Sequence, residues 1–365
     1  MTTSSTSSSE HCTPELVIVG PDSIVAALPY IIGFTPHDSL VVMWMRAGCV
    51  RLTMRLDLPP IGASPLGWID AVMEHRGTHD EVIVCIVPSN DEGARTPNGN
   101  LRAHDLIDGL LLRLQAQNCP IRDCLLIVGD RWWSFLCAEP ECCPPDGTEV
   151  DPRVVDEVAA RFALAGVARL PSRQSVLAIC APDVVVQATH RPLVRQARRA
   201  LAARLRSAVE LSGALEEWRD ESIGSIRHWL LESRSPTSQD SHELAQIMVA
   251  LCDVRVRDTV LWEVAQSRHH DAHRAFDRAA EVLRAAPRGV IAPIGTVTAL
   301  LAWLIGDGVR ATAALDRVSA DDPDYSLAEL LRGSLAAGLP PSGWLEMMSR
   351  LDRDACRRGA AAPPR

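Results

Sequence analysis

Three thiols stand close together in the chain: Cys137, Cys142 and Cys143, spaced C-x4-C-C inside RWWSFLCAEPECCPPDGT at 131–148. Thiolates ligate zinc at about 2.3 Å, and a closed structural site takes four ligands. Three are present, the usual C-x2-C knuckle is absent, and a fourth would come from elsewhere, for example Cys119, Cys124 or His104. The same sulfurs allow redox chemistry through a Cys137–Cys142 disulfide, which a reducing cytosol disfavours. A third reading needs no chemistry. Pro140, Pro144 and Pro145 stiffen the segment and Gly147 permits a turn, so a well-defined loop of reduced cysteines accounts for the pattern. That structural reading is the expectation; no cofactor is expected, and zinc is the one this block would hold.

Four further groups invite chemistry. In GFTPHDSL, His37 and Asp38 enter a strand through a turn, and Arg55 and Asp57 lie on the wet face of the next strand. These four are the candidates for catalysis, set against turn residues that bond their own backbone and a solvated face. VIVGPDSIV reads as strand, turn and helix, but it has one glycine, Pro21 lacks an N–H and Asp22 repels anions, so a plain connection is expected. In RHHDAHR, His269 and His273 have the spacing of a two-histidine metal pair without the H-E-x-x-H glutamate, which favours a polar helix face. In HRPLVRQARRALAARLRSAVEL, Arg191, Arg195, Arg198, Arg199 and Arg206 fall on one side at about 100° per residue. Leu193, Val194, Ala197, Leu201 and Leu205 fall on another. Such a stripe can meet nucleic acid or an acidic protein surface; a solvated or intramolecular face is the expectation.

Composition removes several reaction classes. All 37 basic residues are arginine. Without lysine there is no phosphate-cradling G-x-x-x-x-G-K-[ST] loop, no lysine Schiff base and no kinase β3 lysine. No G-x-S-x-G elbow occurs. Residues 1–180 carry 13 Arg against 22 Asp and Glu, a net of −9, whereas 181–365 carry 24 of each. An acidic first half repels phosphate backbones. Eleven cysteines, an odd count, fit a reduced chain better than a disulfide framework. Cys49, Cys85, Cys124, Cys180 and Cys252 sit in apolar stretches and are expected to act as small hydrophobes. MTTSSTSSSEHCTPE lacks the basic and apolar regions of a secretory signal, and no run approaches the roughly 18 apolar residues of a membrane helix. A cytoplasmic protein is expected.

The elements that would position these groups change character midway. ELVIVG (15–20) reads as a buried strand, and the next segment has helical spacing from Pro21 to an exit at Gly33. SLVVMWM (39–45), CVRLTMRLDL, VIVCIV (82–87) and CLLIVG (124–129) read as strands, with RAG a hairpin turn and WWSFLC a hairpin partner. Helices are expected at about 65–75 and around Leu106–Leu114. Strands apolar on both faces imply a mixed sheet covered by helices on both sides. From Asp151 the patterns are almost all helical: 152–164, 182–211, 215–232, 241–253, 259–267, 270–285, 296–305, 309–318, 326–337 and 342–355, with Ser172 read as an N-cap. ESRSPTSQDS (232–241) reads as a linker, and 1–14 and 356–365 as disordered tails. The expected layout is an α/β domain at 15–181 and an all-α domain at 182–355.

Within the second part, ALLAWLIGDGVRATAALDRVSADDPDYSLAELLRGSLAAGLPP sets Gly306 and Gly308 between helices and looks like a tetratricopeptide helix hairpin. GPDSIVAALPYIIGFTPHDSLVV, RWWSFLCAEPECCPPDGT, VRDTVLW and this last segment, in that order, resemble the actinobacterial domain of unknown function 4192 family over about 16–341. The resemblance brings a host type and no reaction. With no catalytic set in view, the expected function is a protein-interaction or regulatory module with a protein partner and no membrane. The alternatives are an enzyme with a pocket near His37, Asp38, Arg55 and the cysteine loop, and nucleic-acid binding through the arginine stripe.

Overall fold

A cap aspartate precedes one helix after another in this chain. In the computed structural model, Asp151, Asp183, Asp240, Asp253 and Asp307 each accept a main-chain N–H from the first turn that follows. Each satisfies donors that the helix itself leaves unpaired. The structure describes residues 20–59, 64–75, 81–89, 93–232, 240–267 and 269–358, without the side chains of 269–271. Of the strand expected at 15–20 only Gly20 is described, and most of the 232–241 linker, the first tail and residues 359–365 lie outside the described residues; residues 356–358, expected to be disordered, instead complete a final helix, Arg353–Arg358. The chain divides into two compact units, 1–173 and 174–365; the sequence placed the boundary at Ala181.

The first unit is a six-stranded mixed sheet with helices, in the order β2-β1-β3-β4-β5-β6. Its strands are β1 (Ser39–Arg46), β2 (Cys49–Asp57), β3 (Glu81–Val87), β4 (Ile121–Val128), β5 (Arg131–Ser134) and β6 (Thr148–Glu149). β3 and β4 run parallel; every other neighbouring pair is antiparallel. The parallel pair requires a crossover, and it contains α3 (His104–Ala116). Successive strand residues point to opposite faces. Leu40, Val42, Val84 and Leu126 therefore share one face, packed beneath α3 and α2 (Leu66–Glu74) through Leu110, Leu114, Ile69 and Val72. Val41, Met43, Ile83, Cys85 and Leu125 on the opposite face are equally closed to solvent. α1 (Pro21–Ile31) touches β4 and packs on α4 (Pro152–Leu164), with Tyr30 stacked on Phe162 at 4.6 Å. The β1–β2 turn places both Ala47 and Gly48 at positive φ, the geometry of a tight hairpin.

The second unit is helical throughout: α5 (Arg173–Cys180), α6 (Val184–Ser207), α7 (Leu211–Arg227), α8 (Ser241–Ala250), α9 (Val254–Gln266), α10 (His269–Ala285), α11 (Ile291–Leu304), α12 (Gly308–Asp321), α13 (Ser326–Ala336), α14 (Pro341–Ser349) and α15 (Arg353–Arg358). A π-helical turn, His228–Glu232, extends α7. α11 is buried around nearly its whole circumference and packs most extensively on α12. Small residues make that approach close: Ala311 and Ala314 are fully buried, and a Cβ built on Gly295 would stand 2.5 Å from Val318 Cγ2. Arg317 caps two neighbouring helices at once, donating to the carbonyls of Cys180 and Leu283. Not every cysteine in an apolar stretch is core. Cys85, Cys124 and Cys180 are buried, but Cys49 is half-buried on edge strand β2 and Cys252 is exposed. Cys252 follows the last buried residue of α8 in the turn to α9, where its thiol bonds the Met248 carbonyl.

The α11–α12 contact gives a direct test. Gly295→Leu should cost about 1–3 kcal/mol through overpacking, read as a lower midpoint of thermal unfolding; an unchanged midpoint would contradict the packing described.

Candidate functional site

The cysteine block forms the loop that joins two paired strands. β5 and β6 pair antiparallel, Arg131 opposite Glu149 and Trp132 opposite Thr148. Residues 135–147 therefore close a hairpin whose ends are fixed by main-chain hydrogen bonds. At the entry, Phe135 N–H bonds the Cys124 carbonyl at 2.9 Å, tying the loop to β4. At the exit, Trp133 Nε1 donates to the Pro145 carbonyl at 3.0 Å and Arg95 reaches the same oxygen at 3.2 Å. Arg131 donates to the Gly147 carbonyl at 3.1 Å. Gly147 has φ +78°, and a Cβ there would meet the Trp133 ring at 2.5 Å, so both backbone and space require glycine. Its sequence-predicted turn role is confirmed.

Between these anchors the chain folds back on itself. The Glu139 carbonyl accepts the N–H groups of Cys142, at 3.1 Å, and Cys143, at 2.7 Å. Pro140 holds the first corner of that turn, where its fixed φ is suited. The turn returns Cys142 and Cys143 toward Cys137, and the three sulfurs lie within 4.8 Å of one another. Cys142 is exposed and the other two are half-buried. The three thiols are not equivalent. The Glu139 N–H bonds the Cys137 sulfur, S–H contacts from Cys143 and Cys142 add to it, and Cys137 titrates below the usual thiol range. Partial desolvation, with the contacts to Cys137 and Cys142 behind it, pushes Cys143 up to about 12. The arrangement thus favours the thiolate of Cys137 over that of Cys143.

The fourth ligands expected from the sequence do not join this group. Cys119 and Cys124 belong to the core between the sheet and α3, and burial raises the Cys124 thiol. His104 Nε2 is engaged with Asn100 at 3.0 Å and Asp105 at 3.2 Å. Among the described residues, Cys137, Cys142 and Cys143 form the one group of three or more His, Cys, Asp or Glu residues whose ligand atoms lie close enough together to hold a metal ion.

His37, Asp38, Arg55 and Asp57 come together at the open end of the β1–β2 hairpin, where Ser39 pairs with Asp57. The bonding groups there are mostly main-chain. Ser39 Oγ donates to the His37 carbonyl at 2.6 Å, Arg55 Nε donates to Ser39 Oγ at 2.8 Å, and Leu58 N–H bonds the Asp38 carbonyl at 2.9 Å. Arg55 also pairs with the exposed Asp57 at 2.6 Å. Asp22 is occupied as well, accepting from Trp132 Nε1 at 2.7 Å. On α6, Arg191, Arg195, Arg198, Arg199 and Arg206 are exposed while Val194 is buried, and Arg198 donates to the Gly289 carbonyl at 2.8 Å. His273 is exposed; the side chain of His269 lies outside the described residues. A cavity of about 480 Å³ that the sequence did not signal opens in the helical unit, walled by Asp183, Val186, His190, Leu244, Asp277 and Arg284. Its lining residues come from α5, α6 with its cap, α8 and α10, and no local spacing announces them.

Thiol reactivity follows thiolate fraction. With iodoacetamide near pH 8, Cys137 should alkylate well before Cys143; equal rates, or Cys143 first, would contradict the hydrogen bonding described.

No helix among the described residues is long and apolar enough to cross a membrane. No curated protein and no solved structure matches the chain. The profile of one family does match, over residues 21–342, and that span takes in the sheet, the cysteine loop and nearly all of the helical unit. The chain belongs to the DUF4192 family, a domain of unknown function.

Proposed function

We propose that this protein is a regulatory, partner-binding module whose working centre is a thiolate metal site at Cys137, Cys142 and Cys143. One observation carries the reading: three sulfurs within 4.8 Å of one another on an accessible loop pinned at both ends. Tetrahedral zinc with bonds of about 2.3 Å separates its sulfurs by roughly 3.8 Å, so a small inward rotation of these side chains would complete the set. Zinc suits the donors because soft thiolates select it over magnesium or calcium. The three protein ligands leave one coordination position. Its ligand comes from outside the three-sulfur group, and a thiolate or imidazole of a partner protein fits the regulatory reading. The host compartment we propose is a reducing actinobacterial cytoplasm, in keeping with the family resemblance and the odd number of cysteines.

Zinc loading tests the site. The reduced protein, incubated with zinc and desalted, should retain about one zinc per chain, and Cys137→Ser and Cys142→Ser should each retain far less. A ratio near zero for the unaltered protein removes the metal and leaves a purely structural loop.

A further inference from the structure

We propose that α6 docks on duplex DNA, holding its phosphates with Arg191, Arg195, Arg199 and Arg206. The inference stands on the helical unit alone and is independent of the cysteine loop.

The first observation is charge without a counter-charge. α6 contains six arginines and no aspartate or glutamate. Arg204 turns to Glu217 and Glu221, and Arg198 donates to the Gly289 carbonyl at 2.8 Å. The other four, Arg191, Arg195, Arg199 and Arg206, are exposed, and among the described residues none of them has an ion pair or a side-chain hydrogen bond. The next helix does not supply the missing carboxylates. Every acidic residue of α7 is already matched: Glu216 to Arg219 and Arg255, Glu217 and Glu221 to Arg204, and Asp220 to Arg357. At about 100° and 1.5 Å per residue, the four unmatched side chains fall within a sector of about 80° and along roughly 22 Å of the helix. The chain's net charge of −9 does not cancel this row, because in physiological salt exposed charges more than about 8 Å apart are largely screened from one another.

The second observation is what else this face carries. From Arg191 to Ser207 its other exposed residues are Pro192, Gln196, Ala200, Ala203 and Ser207, together with Arg198. The exposed Val184 and Val185 stand in the first turn, about 9 Å or more before Arg191. A protein interface closes around an apolar, aromatic-rich core, and a single-stranded nucleic-acid site stacks bases on aromatic rings. This face offers neither. A duplex backbone requires neither, and it presents one charge per about 1.7 Å, twice the density of a single strand. The major groove of B-form DNA, about 12 Å wide, lets a helix about 10–12 Å across approach both phosphate rows, whereas the A-form groove of duplex RNA is too narrow.

The test titrates a short labelled DNA duplex with the full-length protein and follows fluorescence anisotropy. Four neutralised phosphates predict a log–log salt slope of roughly −3.6, an affinity about 150-fold weaker at 200 mM than at 50 mM salt. Arg191→Gln, Arg195→Gln and Arg199→Gln combined should leave a slope of roughly −0.9, and Arg195→Gln alone roughly −2.7. None of these three side chains is bonded within the fold, so the midpoint of thermal unfolding should not move. Arg332→Gln, which removes an arginine already paired with Asp316 at 3.0 Å, should leave the slope as it is. The proposal is overturned if the duplex is not bound at low salt, or if the stripe variants bind it like the unaltered protein. It is equally overturned if a single strand or an RNA duplex of the same length binds more tightly. Displacement of the duplex by poly-glutamate at equal charge would assign the stripe to an acidic protein surface instead, and would overturn it too.

Discussion

The hydrogen bond from the Trp133 indole to the Pro145 carbonyl, made across a loop that begins and ends in one strand pair, fixes the exit of the segment that carries Cys137, Cys142 and Cys143. A twelve- or thirteen-residue connection left free would spread its thiols over many conformations, and gathering them would cost about 1–2 kcal/mol for every residue fixed. Here most of that ordering is already supplied by the sheet. β5 hangs on β4 through four residue pairs, Arg131 and Arg95 hold the far end by its carbonyls, and Gly147 lets the chain pass beneath the tryptophan ring. With both ends fixed, one proline turn at Glu139 brings three sulfurs together.

The same residue type stands in opposite environments in neighbouring parts of the chain. Cys85 and Cys124 pack as small apolar side chains in adjacent strands, and desolvation keeps them protonated and inert. Cys137 has a different environment, half-buried on a loop and supported by an N–H and two thiols. Position relative to the sheet, not cysteine content, separates the sealed thiols from the accessible ones. The helical unit follows a comparable rule for charge. Arg204 is matched by Glu217 and Glu221, and Arg219 by Asp253 and Glu216, while the stripe arginines Arg191, Arg195, Arg198, Arg199 and Arg206 are exposed.

Much of this architecture was legible because periodicity reports burial. The β1 to β5 strands and most helices stand where alternation and 3.6-residue spacing put them, and the turn at Arg46–Gly48 and the β4–β5 hairpin follow from their glycines. Helix starts were harder. α9 begins at Val254 rather than near Thr259, and the missed signal is Asp253, which caps Arg255 and Val256 while holding Arg219. One fourth-ligand candidate failed for a reason the sequence contains: Cys124 shares the alternation of Leu126 and so is buried in the core between the sheet and α3. Spacing alone could not show that Cys137 meets Cys142 and Cys143, because C-x4-C-C is equally compatible with an extended run. The Glu139 turn decides it. The cavity around His190 and Asp277 was invisible for the same reason, since its wall is assembled from helices far apart in the chain.

Zinc K-edge X-ray absorption of the loaded, reduced protein tests most directly whether the pinned loop presents three sulfurs to one ion. That arrangement predicts three sulfur scatterers at about 2.3 Å and one lighter ligand in the fourth position. A shell made only of oxygen and nitrogen, or one with a single sulfur, would contradict it.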